Sequence, residues 1–219
     1  MSWQIAITIH LLLSTSFALV YRSFAKANPD RALLSTALMY LLTITPLGIT
    51  WGVLSGDLDF GFSIQIWAFL FGGGLLFALA NILAFVANSK VDAGQFSILS
   101  NFRTITTILI STIFLQEVLT LIQLLGVGIL LFATVLIASQ KFNRKTLRLD
   151  KYTLIALLSA AFMGAGISNE KYLLDNTTFS TYLVVGWGLQ TFAMVILARK
   201  ELKLSKDLLK KSGMKLVML

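Results

Sequence analysis

The sequence predicts an all-α membrane protein, a helical bundle of about seven transmembrane helices. Hydrophobic residues make up 57% of the 219-residue chain and charged residues only 13%. Soluble domains carry about 25% charged residues, so this chain is too apolar to be one. Its apolar residues also lie in long runs, which are typical of segments that cross a bilayer.

Seven of these runs are long enough to cross a membrane, since a spanning helix needs about 20 residues. Lipid offers the backbone no hydrogen bonds, so an apolar run of this length must satisfy its own peptide groups as a helix. The runs cover Trp3–Val20, Ala32–Leu54, Ile64–Ala87, Phe96–Gln116, Val118–Ser139, Tyr152–Ser168 and Ser180–Ala198.

Basic residues lie on alternate connections between the runs. They follow the first, third, fifth and seventh runs, whereas the remaining connections hold Lys171 as their one base. By the positive-inside rule, this pattern predicts a multi-pass protein of the cell (plasma) membrane, with its N-terminus outside and its C-terminus cytoplasmic. The bases on the cytoplasmic side begin with Arg22, Lys26, Arg31, Lys90, Lys141, Arg144, Lys145, Arg148 and Lys151 and continue into the C-terminal tail.

The formal net charge of +8 does not indicate a nucleic-acid-binding protein. The bases sit in short segments between apolar runs, where they face anionic lipid headgroups. They do not form the basic face that follows a phosphate backbone. The expected partners are therefore the lipid bilayer and a small-molecule substrate, and no nucleic acid.

Ligands for metals and cofactors are scarce in this chain. It has no cysteine, which excludes disulfides, thiolate metal sites and iron–sulfur clusters. His10 is the single histidine, and a zinc or haem site would need carboxylates that the apolar runs lack. We expect no cofactor, no metal site and no enzymatic activity.

Glycines recur at helical spacings within the runs. Gly48, Gly52 and Gly56 form overlapping GxxxG patterns, a triple glycine occupies residues 72–74, and Gly164 and Gly166 are one of three close pairs. Helix faces made of small residues let two helix backbones approach closely in lipid, so close helix packing is the favoured interpretation. A flexible gating hinge is the alternative.

The chain also shows a faint internal repeat. The first two runs, with the polar exit Tyr21–Asn28 between them, resemble the last two runs, with the exit Glu170–Asn176 between them. The second copy begins five runs after the first, and a unit with an odd number of crossings returns upside down in the membrane. Inverted repeats of this kind are common in secondary transporters.

The stretch Phe96–Ile137 indicates a family. Glu117 closes one apolar run, a Leu-Thr pair follows, and Gln123-Leu-Leu-Gly126 opens the next run. This arrangement resembles the fourth and fifth helices of an EamA domain of the drug/metabolite transporter superfamily. The resemblance implies a transporter that exports or exchanges small metabolites and usually has ten helices in two five-helix repeats.

On that resemblance the chain divides into three parts. Residues 1–140 form a first five-helix repeat, residues 141–151 a basic cytoplasmic linker, and residues 152–219 the start of a second repeat that is incomplete. The apolar run Met214–Leu219 is too short to span. The expected function is secondary transport by alternating access. The alternative is a non-transporting membrane subunit or an inactive remnant, whose bundle a homo- or heterodimer would complete.

Polar residues inside the runs are the candidate substrate-binding residues. Amide and guanidinium groups are tolerated in a span where partners or water meet them, so they should face the bundle interior. They offer donors without a carboxylate nearby in the runs, which predicts an anionic or strongly hydrogen-bonding substrate. The candidates are His10, Ser14, Asn81, Asn101, Arg103 and Thr104.

Two alternatives stay open for these residues. Hydroxyl groups such as that of Ser14 can bond back to their own helix or to a neighbouring helix, without any role in binding. Arg103 can line a polar cavity or extend to the inner headgroups as an anchor.

Overall fold

The protein is a bundle of long helices. The computed structural model describes residues 3–114, 116, 118–140, 142–143 and 148–210. Its helical content confirms the predicted all-α membrane class. The long helices of the described residues are α1 (Trp3–Ala27), α2 (Ala32–Ser55), α3 (Ile64–Lys90), α4 (Ala93–Phe114), α5 (Leu121–Gln140), α6 (Lys151–Asn176) and α7 (Phe179–Ala198).

Within this described part, six helices are long and apolar enough to cross a bilayer: α1 over Ile7–Ala27, and α2, α3, α4, α6 and α7 over their full lengths. α5 adds a shorter apolar stretch, Leu121–Leu136. Large apolar side chains such as Leu12, Phe71 and Ile122 are exposed on the outer surface, which suits lipid as the surrounding solvent. The chain is an integral multi-pass membrane protein.

α1 extends beyond the apolar run that predicts it. The run ends at Val20, but the helix continues to Ala27. Asn28 and Pro29 follow, and a proline disfavours the helical conformation of the residue before it. Arg22, which the sequence placed in a connection, therefore lies inside α1.

α6 is also longer than its apolar run. The predicted end at Ser168 is wrong, because the helix continues to Asn176. Leu173, near the end of α6, is fully buried beside Ile66 and Leu70 of α3, and this packing supports the extra turns. Glu170 consequently lies within α6.

α3 and α6 form the centre of the bundle and pack along each other. α4 packs on α6, while α1, α2 and α7 lie against α3. Phe24 of α1 and Phe85 of α3 meet edge to face in the main core, with ring centroids 5.7 Å apart, and both are 0% exposed. The polar cavities described below are therefore lined by helices that the core holds in place.

The packing interpretation of the glycines is confirmed where two helices meet. A Cβ at Gly48 of α2 would lie 2.5 Å from the Trp187 ring of α7, and one at Gly166 of α6 would lie 3.0 Å from the Phe77 ring of α3. A Cβ at Gly164 would collide with the backbone of α4 at Arg103. Small residues thus let these helix pairs approach closely.

Among the described helices, two contain one π-helical turn each, at Tyr40–Ile44 in α2 and at Tyr182–Gly186 in α7. Both turns begin with a Tyr-Leu pair. Single π turns within α-helices occur frequently at functional sites. In the predicted repeat, α2 and α7 are the second helix of each copy, so the two π turns occupy corresponding helices.

α5 and the linker complete the described fold. α5 packs mainly on α4, and most of its described side chains are exposed. In the basic linker Phe142–Asn143 pairs antiparallel with Arg148–Leu149. Glu117 and the apolar run Met214–Leu219, both used in the sequence analysis, lie outside the described residues.

Candidate functional site

A first cavity of about 420 Å³ lies between α1, α2, α3, α4 and α6. It is close to the end of the bundle where α1 and α3 finish and α4 and α6 begin. Much of its wall is apolar, as in most small-molecule sites. Its polar and charged lining residues are Tyr21, Arg22, Tyr40, Asn81, Asn88, Ser97, Ser100, Arg103 and Ser159.

Arg22 is fixed on one side of this cavity. Its Nη2 donates a hydrogen bond of 2.8 Å to the backbone carbonyl of Val91, between α3 and α4. Its Nη1 is buried and has no hydrogen-bond partner among the described residues. A buried guanidinium donor without a partner is costly, so this atom is suited to an acceptor that arrives from outside the chain.

Arg103 reaches the cavity from α4. The helix has a turn at Asn101, and Arg103 follows it as an exposed residue at the cavity wall. Its backbone carbonyl accepts a 2.9 Å hydrogen bond from Thr107 Oγ1, which also donates to the carbonyl of Gly164 at 3.1 Å. α4 is therefore tied to α6 one turn after Arg103, and its backbone at Arg103 is held against that helix.

Uncharged polar groups surround the remaining wall. Tyr21 Oη donates to the backbone carbonyl of Asn81 at 3.3 Å, and Asn81 Nδ2 donates to Phe77 O in its own helix at 2.8 Å. Ser159 Oγ bonds to Ala80 O at 2.9 Å. Among the lining residues, the charged groups are Arg22 and Arg103, and none is a carboxylate. The first cavity is therefore electropositive.

A second cavity of about 380 Å³ lies nearer the opposite end of the bundle. It shares Tyr40, Asn81 and Met163 with the first cavity, so the two are adjacent along the bundle axis. Its other lining residues are Ile44, Phe77, Glu170, Tyr182, Trp187 and Gln190.

Glu170 corrects one premise of the sequence analysis. The apolar runs were expected to lack carboxylates, but α6 carries Glu170 into the wall of the second cavity. The expectation of a site without acidic groups thus applies to the first cavity and not to the second.

The comparisons with known proteins agree with this architecture. The model of the EamA-like transporter family matches residues 2–139, which is well over half of the chain. The chain belongs to the EamA-like transporter family. The EamA-like family comprises membrane transporters of the drug/metabolite superfamily rather than enzymes. No curated protein and no solved structure matches the chain.

The structure brings some of the predicted binding residues of this EamA-like protein together. Asn81 and Arg103 line the first cavity, whereas Ser14, Asn101 and Thr104 are not part of its wall. Ser14 is exposed, and its Oγ bonds back to Leu11 O at 3.2 Å, as one alternative anticipated. The His10 side chain lies outside what the structure describes.

Several cavity residues of the EamA-like protein escaped sequence reasoning. Arg22 and Glu170 were assigned to connections because the apolar runs stop before them, although good helix formers such as Ala25 and Lys171 follow them. Tyr40 and Gln190 were missed because long apolar stretches surround them. The proline at position 29 and the helix formers after Ser168 were the available signals for the two longer helices.

Proposed function

We propose that this EamA-like protein is a secondary transporter that exports or exchanges a small anionic organic metabolite across the cell membrane by alternating access. The first cavity carries the proposal, because Arg22 and Arg103 share it without a lining carboxylate. Guanidinium groups are suited to carboxylate and phosphate oxygens. Lipid is the partner we infer for the exposed apolar surface.

The set of helices that line the first cavity supports transport. Secondary transporters bind their substrates between repeats, at residues that the packed helices expose to each side in turn. Here the first cavity involves α1 and α4 of the family-matched segment together with α6. No group of three or more potential metal ligands occurs in the described part of the chain.

The proposed charge selectivity is tested at Arg103 and Asn81. A thermal-shift screen first measures how far small carboxylates and phosphates raise the unfolding temperature, each compared with a neutral amide or alcohol of similar shape. The anion that stabilises the protein most is then used in uptake assays with proteoliposomes. We expect Arg103→Ala to reduce uptake at least about tenfold and Asn81→Ala to reduce it less, since a charge-assisted hydrogen bond is worth roughly twice a neutral one. Arg103→Lys should be intermediate, because lysine retains the charge and loses the planar fork.

Lys200→Ala is the matched control, since Lys200 is an exposed base outside both cavities. Normal uptake by all three site variants at equal reconstituted amounts would contradict the proposed site. Equal stabilisation by the anions and their neutral counterparts would contradict the charge selectivity.

The orientation is a further proposal that rests on the basic residues. We expect the N-terminus outside and the linker of residues 141–151 in the cytoplasm. Alkaline phosphatase is active only outside the cytoplasm, so its fusion after Ser139, on the expected cytoplasmic side, should be inactive. A green fluorescent protein is fluorescent only in the cytoplasm, so its fusion after Asp59, on the expected outer side, should stay dark. Fluorescence from the fusion after Asp59 would contradict the proposed orientation and indicate the opposite one.

A further inference from the structure

The second cavity combines a carboxylate with aromatic walls. Glu170 lies on α6, and the rings come from Tyr40 of α2, Phe77 of α3, and Tyr182 and Trp187 of α7. Among the residues that line it, Glu170 is the one charged group. Aromatic faces and a carboxylate both attract cations, and together they are suited to ammonium groups.

Glu170 is held in position rather than free to turn away. It is half-buried, and its carboxylate lies beside the hydroxyl of Tyr182, a residue that is 4% exposed. The next residue, Lys171, is exposed and does not line the cavity, as expected for neighbours in a helix, which do not face each other. No basic side chain of the cavity wall therefore neutralises the carboxylate.

Trp187 is fixed by its packing. Its ring lies against Gly48, where a Cβ would approach ring carbon Cε3 to 2.5 Å. This glycine on α2 therefore leaves the space that the indole fills, and the ring is held at the cavity wall. A rigid aromatic wall needs little ordering when a ligand binds.

Gln190 provides an independent sign that the cavity takes a ligand. The residue lines the cavity and is 4% exposed, and its Nε2 lies near the Tyr40 hydroxyl without making a hydrogen bond of good geometry among the described residues. Buried donors are normally satisfied, so an orphan donor at a cavity wall is suited to an acceptor on the occupant. The occupant should carry an acceptor oxygen in addition to its cationic group.

From these contacts we propose that the second cavity binds an organic ammonium compound with a hydroxyl or carbonyl oxygen. Glu170 is the counter-ion, Tyr40, Tyr182 and Trp187 form the aromatic walls, and Gln190 donates to the oxygen. This site has the opposite charge preference to the first cavity, and the proposal does not rest on transport of an anion through the first cavity.

Choline and its uncharged isostere, in which carbon replaces the quaternary nitrogen, test the proposal directly. They differ in charge and share shape and hydroxyl group, so any difference in affinity reports the cation. Isothermal titration of the purified full chain in lipid nanodiscs should show choline binding at least about tenfold more tightly than the isostere. Equal affinities, or no measurable choline binding, would overturn the site without affecting the anion test at Arg103.

Variants then assign the binding to this cavity. Glu170→Gln keeps the size of the side chain and should weaken choline binding at least about tenfold, while Glu170→Asp should restore part of it. Trp187→Leu should also weaken it. Asp175→Asn, an exposed carboxylate of the same helix outside the cavity, is the control and should leave it unchanged. Full choline affinity in Glu170→Gln would show that choline binds elsewhere.

Discussion

Replacing Gly164 with alanine is expected to destabilise the protein by about 1–3 kcal/mol, because an added methyl group has no room at that position. Its Cβ would lie 2.7 Å from Thr106 Cβ and 3.0 Å from the backbone nitrogen of Thr107, and it would collide with the carbonyl of Arg103. Backbone atoms cannot rotate away as a flexible side chain can. α4 and α6 would have to separate.

This separation would also break the polar contacts between the two helices. Thr107 Oγ1 donates to Gly164 O at 3.1 Å, and Ser168 Oγ lies 3.1 Å from Thr107 O. The variant should therefore lose more than the direct steric term, and it should unfold at a lower temperature in detergent.

Gly72→Ala is the matched control for this prediction. Gly72 lies in α3, and nothing is within 4 Å of a Cβ built there. Alanine favours a helix over glycine by about 1 kcal/mol, so this variant should be neutral or slightly more stable. Thermal unfolding followed by intrinsic fluorescence measures both, and equal midpoints for the two variants would contradict the assigned packing.

Replacing Arg22 with glutamine is expected to reduce uptake of an anionic substrate by at least about tenfold, since one charge-assisted hydrogen bond is worth roughly 1.5–3 kcal/mol. The guanidinium belongs to a residue that lines the first cavity: its Nη2 donates to the carbonyl of Val91, and its Nη1 is buried without a hydrogen-bond partner among the described residues. Glutamine can keep one donor but not the charge. The loss should appear mainly as a higher KM for the anion.

Lys26→Gln removes a charge one helical turn further along α1, at an exposed position outside the cavity wall. Its KM should equal that of the unaltered protein. If Arg22→Gln and Lys26→Gln behave alike in uptake assays on reconstituted protein, Arg22 is a headgroup-facing base and not a binding residue.

The helices themselves could be predicted from the sequence because lipid imposes a simple requirement on length and apolarity. Their ends could not, since charged residues do not end a helix by themselves. Arg22 continues α1 into good helix formers until Pro29, and Glu170 continues α6 because Leu173 packs on α3. Because both helix ends were predicted too early, Arg22 and Glu170 were assigned to connections, although both residues line a cavity.

The candidate site was predictable in part for a similar reason. Helical periodicity groups polar residues on one face, as with Asn81 on α3, but it does not state which face meets another helix. On α4 the turn at Asn101 interrupts the periodicity, and Arg103 lines the cavity whereas Thr104 does not. Glycine patterns have the same ambiguity: Gly164 packs on α4, whereas no described atom of another helix lies within 4 Å of a Cβ added at Gly126.

The π turn of α2 changes the direction in which the residues after it point around the helix axis, relative to the residues before it. In an uninterrupted α-helix, Gly48 and Gly52 would point about 80° and 120° away from Tyr40, at about 100° per residue. The π turn at Tyr40–Ile44 takes up one extra residue, which brings both glycines within about 20° of Tyr40. The tyrosine at the cavities and the glycines that pack on α7 therefore share one face.

The π turn of α7 has the same effect on its own helix. Gln190 follows Tyr182 by eight residues, and the extra residue at Tyr182–Gly186 rotates it from about 80° to about 20° from that tyrosine. Both side chains then point into the second cavity. A strictly α-helical α2 and α7 would turn their cavity-lining residues away from each other, so the two phase shifts together determine which side chains meet between the helices.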